Sequence, residues 1–238
     1  MTRLVICAAL GVEARAVGRL RARRGGRPGR AAVRVVRTGM GPRRAEAAAA
    51  RLPEFDALVV AGFGGALDAR LRPGDLVVAT EVRSGGRTLR CHWAGPLARL
   101  LALSGATVHR GPIVTAGHTV TGAERGALAA TGAVAVDMES GPLVEAAGAR
   151  PWAVVRAIVD TPRHPLVSPG TVPHGLNAWR RLWAAGPALS AWAAAAHAAE
   201  GATAAPPPPR PSPSAMYAPF TPSGMKATEI DLPEEVGP

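Results

Sequence analysis

Short apolar runs alternate with small-residue stretches of helical spacing from residue 4 to residue 199. That alternation restricts the chain more than any other feature. An apolar run followed by a helix-length stretch reads as a βα unit, and repeated units build a mostly parallel sheet with helices on both faces. The strand candidates are 4–10 (LVICAAL), 31–37, 57–63, 76–82, 111–117, 133–137 and 153–160. The helix candidates are 12–24, 43–52, 96–103, 123–130, a segment between Asp137 and Ala153, and 174–199 as one helix or two, Gly186-Pro187 being where a break would fall. Runs 58–61 and 133–136 lack polar alternation, as strands covered on both faces do. The expected fold is one α/β domain over residues 1–200. It has three layers, with a mixed, mostly parallel central sheet flanked by helices. Residues 201–238 carry APPPPRPSPS and form a separate proline-rich tail, expected to be disordered.

Composition narrows the function classes less than the charge suggests. The 238 residues carry a formal net charge of +11, but Lys226 is the only lysine and arginine supplies the rest of the basic residues. Such a bias accompanies the general abundance of Ala, Arg, Gly and Pro, so it predicts affinity for anionic surfaces without naming a partner. The two cysteines, Cys7 and Cys91, make no disulfide framework, and Cys7 sits in an apolar run as a small core residue. Both point to a reducing, cytoplasmic setting. No stretch approaches the roughly 20 apolar residues of a membrane span.

Several groups capable of chemistry fall at the carboxyl ends of the strand candidates, where open α/β sheets bind ligands. Glu13 follows the first strand, TGMG (38–41) the second, GFGGAL (62–67) the third, Asp137-Met138-Glu139 the sixth and Asp160 the seventh. Uncompensated buried charge is costly, so the carboxylates are expected to line a cleft. Each has a plainer reading alone. The glycines permit tight turns, Glu139 favours a helix dipole, and Asp160 caps a segment. GFGGAL lacks the third glycine of a dinucleotide-binding turn, because Leu67 takes its place.

Four motifs in order resemble one family. VVAGFGGALDARLRPGDLVVAT (59–80) is similar to the glycine turn and following strand of the nucleoside phosphorylase and nucleosidase superfamily. VDMES (136–140) and AVVRAIVD (153–160) resemble its acidic–Met–Glu segment and its Arg-x-Ile-x-Asp strand end. The resemblance runs from about residue 3 to about residue 195, and within the superfamily it is nearest the hopanoid-associated branch.

The resemblance implies cleavage of an N-glycosidic bond in a 5′-modified adenosine. Adenosylhopane is the first candidate, with adenine leaving and ribosylhopane or phosphoribosylhopane formed. Methylthioadenosine, S-adenosylhomocysteine and futalosine are the alternatives. It implies Asp160 as the acid toward purine N7, a role that an apolar setting beside Ile158-Val159 would favour. Glu13 is implied as the base that activates water, Glu139 as the clamp on the ribose hydroxyls and Met138 as the residue packing on the sugar. Asp137, Gly62, Phe63, Gly64 and Gly65 join the substrate site, and Val120 and Thr121 lie near the base. Gly39, Gly41 and Arg43, with Arg44, are the candidate phosphate-binding group.

Two departures weigh on this. Val159 stands where the family commonly has Ser before the acid, VVAGFGG lacks the Arg that the phosphorylases usually carry before the glycine turn, and the early loop reads ALGVEARA in place of their GDPLRA-like loop. Water is therefore favoured slightly over phosphate. No metal and no cofactor are expected, inorganic phosphate entering only as a co-substrate. A homodimer is implied by resemblance alone.

Other features read plainly. Seven arginines between Arg15 and Arg30 have no interleaved aromatics, so a solvated face is favoured about two to one over a nucleic-acid or lipid patch, and no nucleic acid is expected as a partner. His92 beside Cys91 has no partner at ligand spacing. Trp179 and Trp183 share a helix face. They are read with Trp192 as core packing, ahead of a peripheral membrane surface at the inner face that a lipid-linked substrate would use. A basic binding module without catalysis is the reading of a different class.

Overall fold

The computed structural model describes residues 1–18, 31–163 and 171–203. Residues 19–30, with six of the seven arginines of the Arg15–Arg30 run and the expected break at 25–29, lie outside them, as do residues 204–238 of the proline-rich tail; residues 201–203 end the last helix. The elements are β1 (Arg3–Ala8), α1 (Gly11–Gly18), β2 (Ala32–Arg37), α2 (Pro42–Ala49), β3 (Ala57–Ala66), β4 (Leu76–Ser84), β5 (Arg87–Arg90), α3 (Ala94–Ala102), β6 (Val108–Thr115), α4 (Gly122–Ala130), β7 (Ala135–Asp137), α5 (Ser140–Glu145), β8 (Trp152–Asp160) and α6 (Thr171–Thr203).

The strands form one sheet in the order β2-β1-β3-β7-β6-β4-β5, with β8 pairing both β3 and β4. Five pairs are parallel: β1–β2, β1–β3, β3–β8, β4–β6 and β6–β7. Three are antiparallel: β3–β7, β4–β5 and β4–β8. The sheet is mixed and mostly parallel, as expected, but it is not open. The pairing runs β3-β7-β6-β4-β8 and back to β3, so part of the sheet closes on itself.

Successive residues of the central strands feed two cores. Ala57, Val59 and Ala61 of β3 pack with α1, α3 and α6, while Leu58 and Val60 pack with α2 and α5. Alternation puts consecutive side chains on opposite faces, and both faces are covered, which is why 58–61 carries no polar residue. Cys7 is buried in the second core and its thiol is pushed up to about 12 by that burial.

Two features depart from the expectations, and one open alternative is decided. GFGGAL does not turn. Gly62 to Ala66 continue β3, and the absence of a Cβ at Gly62, Gly64 and Gly65 lets the Arg156, Glu13, Arg125 and Asp160 side chains pass close to the strand there. β5 was not anticipated, its RTLR being too short and polar to carry a signal. Of the two alternatives for 174–199 the single helix holds: α6 runs 33 residues through Pro187 without ending. An internal proline costs a helix about 3 kcal/mol. Here Ala178, Leu182, Ala185, Leu189, Trp192 and Ala196 recur at helical spacing and are all buried in the first core, and tertiary packing of that face outweighs the local loss.

Candidate active site

A cavity of about 210 Å³ opens where the strand ends converge. Ala9, Leu10 and Glu13 reach it from the β1–α1 junction, and Met40 from the β2–α2 turn. Phe63, Gly64 and Gly65 come from β3, and His118, Thr119, Val120 and Arg125 from the approach to α4 and its first turns. Val136 to Glu139 come from the β7–α5 junction, and Val159 and Asp160 from the end of β8. The carboxylates singled out in the sequence thus meet at one place.

Glu13 is buried although α1 is a surface helix. Its Oε2 accepts the Leu10 N–H at 2.7 Å and its Oε1 accepts the Phe63 N–H at 2.7 Å. Burial pushes its carboxyl above the ordinary glutamate range, with the two N–H groups and Arg156 acting in the opposite direction and Glu139 adding to the rise. Gly62 makes this geometry fit. A Cβ there would stand 2.6 Å from Arg156 Nη1 and 2.8 Å from Glu13 Oε1.

Arg156 on β8 organises the acidic group from beneath. Its Nε donates to Asp137 Oδ2 at 2.8 Å, its Nη2 to Ser140 Oγ at 3.0 Å and its Nη1 to the Phe63 carbonyl at 3.3 Å. Glu139 Oε2 stands 3.7 Å from Nη2. Burial alone would push the guanidinium down, but Asp137, Glu139 and Glu13 outweigh it and hold it charged above its usual range. Asp137 spends its oxygens inside the wall. It accepts from Thr115 Oγ1, from the Glu139 and Ser140 N–H groups, from the Ser140 hydroxyl and from Arg156. Both its oxygens are thus engaged in the cavity wall.

Asp160 gets its direction from an irregularity. Gly64 pairs with Ile158 and Gly65 pairs with Asp160, so Val159 has no partner on β3 and the strand bulges. A bulge re-aims the side chain beside it. The apolar setting expected from Ile158-Val159 is not what the carboxylate meets. Arg125 Nη2 pairs with Asp160 Oδ2, with only 11% and 14% of the two side chains exposed. Arg125 carries no signal of its own in the sequence, because an arginine on a polar, exposed helix resembles the many solvated ones.

Some anticipated residues lie elsewhere. Val120 and Met138 line the cavity, but Thr121 is exposed at the start of α4 and does not. Gly62 lies behind it. The TGMG turn is not an open anion nest. The Gly39 N–H donates to the Ala9 carbonyl at 3.1 Å, and the Gly41 N–H donates to Glu139 Oε1 at 2.9 Å. Arg43 is exposed and does not line the cavity, and Arg44 folds back over Gly39. Trp192 is core, Trp179 is partly buried with its Nε1 donating to the Val12 carbonyl at 3.0 Å, and Trp183 is exposed. Among the described residues, no helix is long and apolar enough to cross a membrane.

The solved structures that superpose on this chain include several nucleosidases. The S-adenosylhomocysteine nucleosidase of Streptococcus pyogenes, in complex with 5-methylthiotubericidin, superposes with a TM-score of 0.62 at 21% identity, over 77% of this chain and 95% of that one. The 5′-methylthioadenosine/S-adenosylhomocysteine nucleosidase of Neisseria meningitidis, in complex with methylthio-immucillin-A, gives 0.63 at 17% identity, over 82% and 99%. The Helicobacter pylori enzyme of the same name gives 0.62 at 15%, over 84% and 99%. At such identities the likeness is one of fold. No curated protein sequence matches the chain. The sequence model of the phosphorylase superfamily matches residues 11–171, and with more than half its length so matched the chain belongs to the phosphorylase superfamily.

Proposed function

We propose that the protein hydrolyses the N-glycosidic bond of a 5′-modified adenosine. The observation that carries this is the meeting of Asp160, Glu13, Glu139 and Met138 around one cavity. As the bond from C1′ to N9 breaks, its electron pair goes to the purine and positive charge grows on the ribose. Asp160 gives its proton to N7. Glu13, whose raised basicity follows from burial, takes the proton of the water that attacks C1′. Glu139 holds the ribose hydroxyls, and its charge steadies the oxocarbenium-like state, as carboxylates do in other glycosidases. Water is preferred to phosphate because the glycine-turn N–H groups are already used.

The cavity is small against the roughly 300–1,000 Å³ of sites that enclose drug-sized ligands. That favours methylthioadenosine and S-adenosylhomocysteine as first substrates. Adenosylhopane is the second reading. Met40 lines the cavity and is 55% exposed, an apolar group against which a lipid-linked 5′ substituent could leave. A homodimer, a cytoplasmic site of action and contact with an anionic membrane belong to this proposal by family likeness and charge.

The test is release of free adenine, followed by chromatography, from methylthioadenosine, S-adenosylhomocysteine and detergent-dispersed adenosylhopane, with and without phosphate. Phosphate-independent release that disappears in Asp160→Asn is the expected result. Release only with phosphate would replace the hydrolase by a phosphorylase. No release from any of the three would overturn the reading.

A further inference from the structure

The acid end of the cavity holds one group the reaction above does not use. Arg125 projects from the first turns of α4, pairs through Nη2 with Asp160 Oδ2 and lines the cavity beside it. Its Nε is buried and has no hydrogen-bond partner among the described residues. The space is set by Gly65, where a Cβ would stand 2.5 Å from Arg125 Nη2 and 3.1 Å from Asp160 Oδ1. A guanidinium carries five donors and no acceptor, so this end of the cavity offers more donors than Asp160 can satisfy.

We infer that Arg125 sets the base specificity of this site and opens it to 6-oxopurines in addition to adenine. The inference rests on the reading that a purine edge lies against Asp160. A 6-oxopurine presents two neighbouring acceptors, O6 and N7, which a guanidinium fork matches; adenine presents N7 and a donating 6-amino group, which it does not. Asp160 alone can serve adenine, giving a proton to N7 and accepting from the amino group. With Arg125 beside it, the same site can serve a base whose edge only accepts. Sites built to hydrogen-bond one polar group discriminate strongly against its absence. If Arg125 only held Asp160 in place, its replacement would weaken both bases alike.

Hypoxanthine and adenine binding to the full chain, measured by calorimetry, separates the two. The wild type should bind both. Arg125→Met should lower the hypoxanthine-to-adenine affinity ratio by at least about tenfold, the worth of one lost charge-assisted hydrogen bond. Arg125→Gln should lower it further, because an amide offers adenine both an acceptor and a donor. Thermal melts of both variants check folding, and hypoxanthine release from 5′-methylthioinosine should follow the same order. A ratio within about twofold of wild type in both variants, or adenine binding with no hypoxanthine binding in the wild type, would overturn the inference while leaving the nucleosidase standing. Failure of either base to bind the wild type would sink the purine reading and this inference with it.

Discussion

The backbone N–H of Gly41 donates to Glu139 Oε1 at 2.9 Å, across 98 positions of the chain. This contact ties the β2–α2 turn to the start of α5. Gly41 has φ +93° and is followed by Pro42 at the first position of α2. The glycine supplies a backbone conformation that side chains resist, and the proline starts the helix where its missing N–H is not needed. The turn therefore serves to position a carboxylate.

Two variants of Glu139 should separate positioning from binding. Glu139→Gln keeps an oxygen for the Gly41 N–H but loses the charge. It should melt close to wild type while kcat/KM falls about tenfold to a hundredfold, as expected when a hydrogen bond to a charged group is lost. Glu139→Ala also leaves the N–H without its acceptor and should lose a further 1–3 kcal/mol, roughly, of stability. Equal melting of the two would show that the tie contributes nothing.

Glu13 predicts the acid side of the pH profile. A base must be ionised to accept a proton, so the rate falls as pH drops through its pKa. Burial places that pKa above the ordinary value of 4.5. The acid limb of kcat/KM should accordingly lie above 4.5, and Glu13→Gln should remove most of the turnover. A steady-state profile whose acid limb sits at or below the ordinary value would remove Glu13 from the role of base.

Much of this site was legible in the sequence, and the reasons for the gaps are physical. Glu13, Glu139 and Asp160 follow apolar strands, and strand ends are ordered by the sheet, so their convergence could be anticipated from the chain alone. The closure of the sheet could not. It depends on β8 pairing β4 as well as β3, a long-range choice with no local pattern. GFGGAL was misread because glycine serves turns and close approaches alike, and only Arg156 and Glu13 passing over Gly62 tell the two apart. Arg125 was invisible because its meaning lies wholly in its partner, 35 positions away.

Gly62 supplies a third prediction. Gly62→Ala would press a methyl group against Arg156 and Glu13 inside a buried network. Overpacking of this kind costs roughly 1–3 kcal/mol, and displacing both groups should lower kcat/KM about a hundredfold, as small misplacements of reacting groups do. Gly126→Ala, on α4 with nothing within 4 Å of the new methyl, is the comparison. It should be neutral or gain up to about 1 kcal/mol from helix propensity. Chemical denaturation and steady-state kinetics on the pair decide it, and similar values for both would show that Gly62 has room to spare.

Arg156 makes the largest stability prediction. Both it and Asp137 have side chains only 1% exposed, and Glu139 and Glu13 also act on the guanidinium. A buried pair is weak evidence of net stabilisation, but removing one partner leaves the other charge uncompensated and costs about 3–5 kcal/mol. Arg156→Met should sit at that upper end, because it strands three carboxylates at once. Asp137→Asn should cost less, because the guanidinium keeps Glu139 and Glu13. The sign of the pH dependence follows. Without the arginine, the folded protein favours the neutral carboxyls, so the Arg156→Met defect shrinks as pH falls and grows as pH rises through their titration. Denaturant midpoints for wild type and both variants at acid and neutral pH would show it. A defect in Arg156→Met that stayed constant with pH would mean that the carboxylates do not depend on Arg156 for their charge.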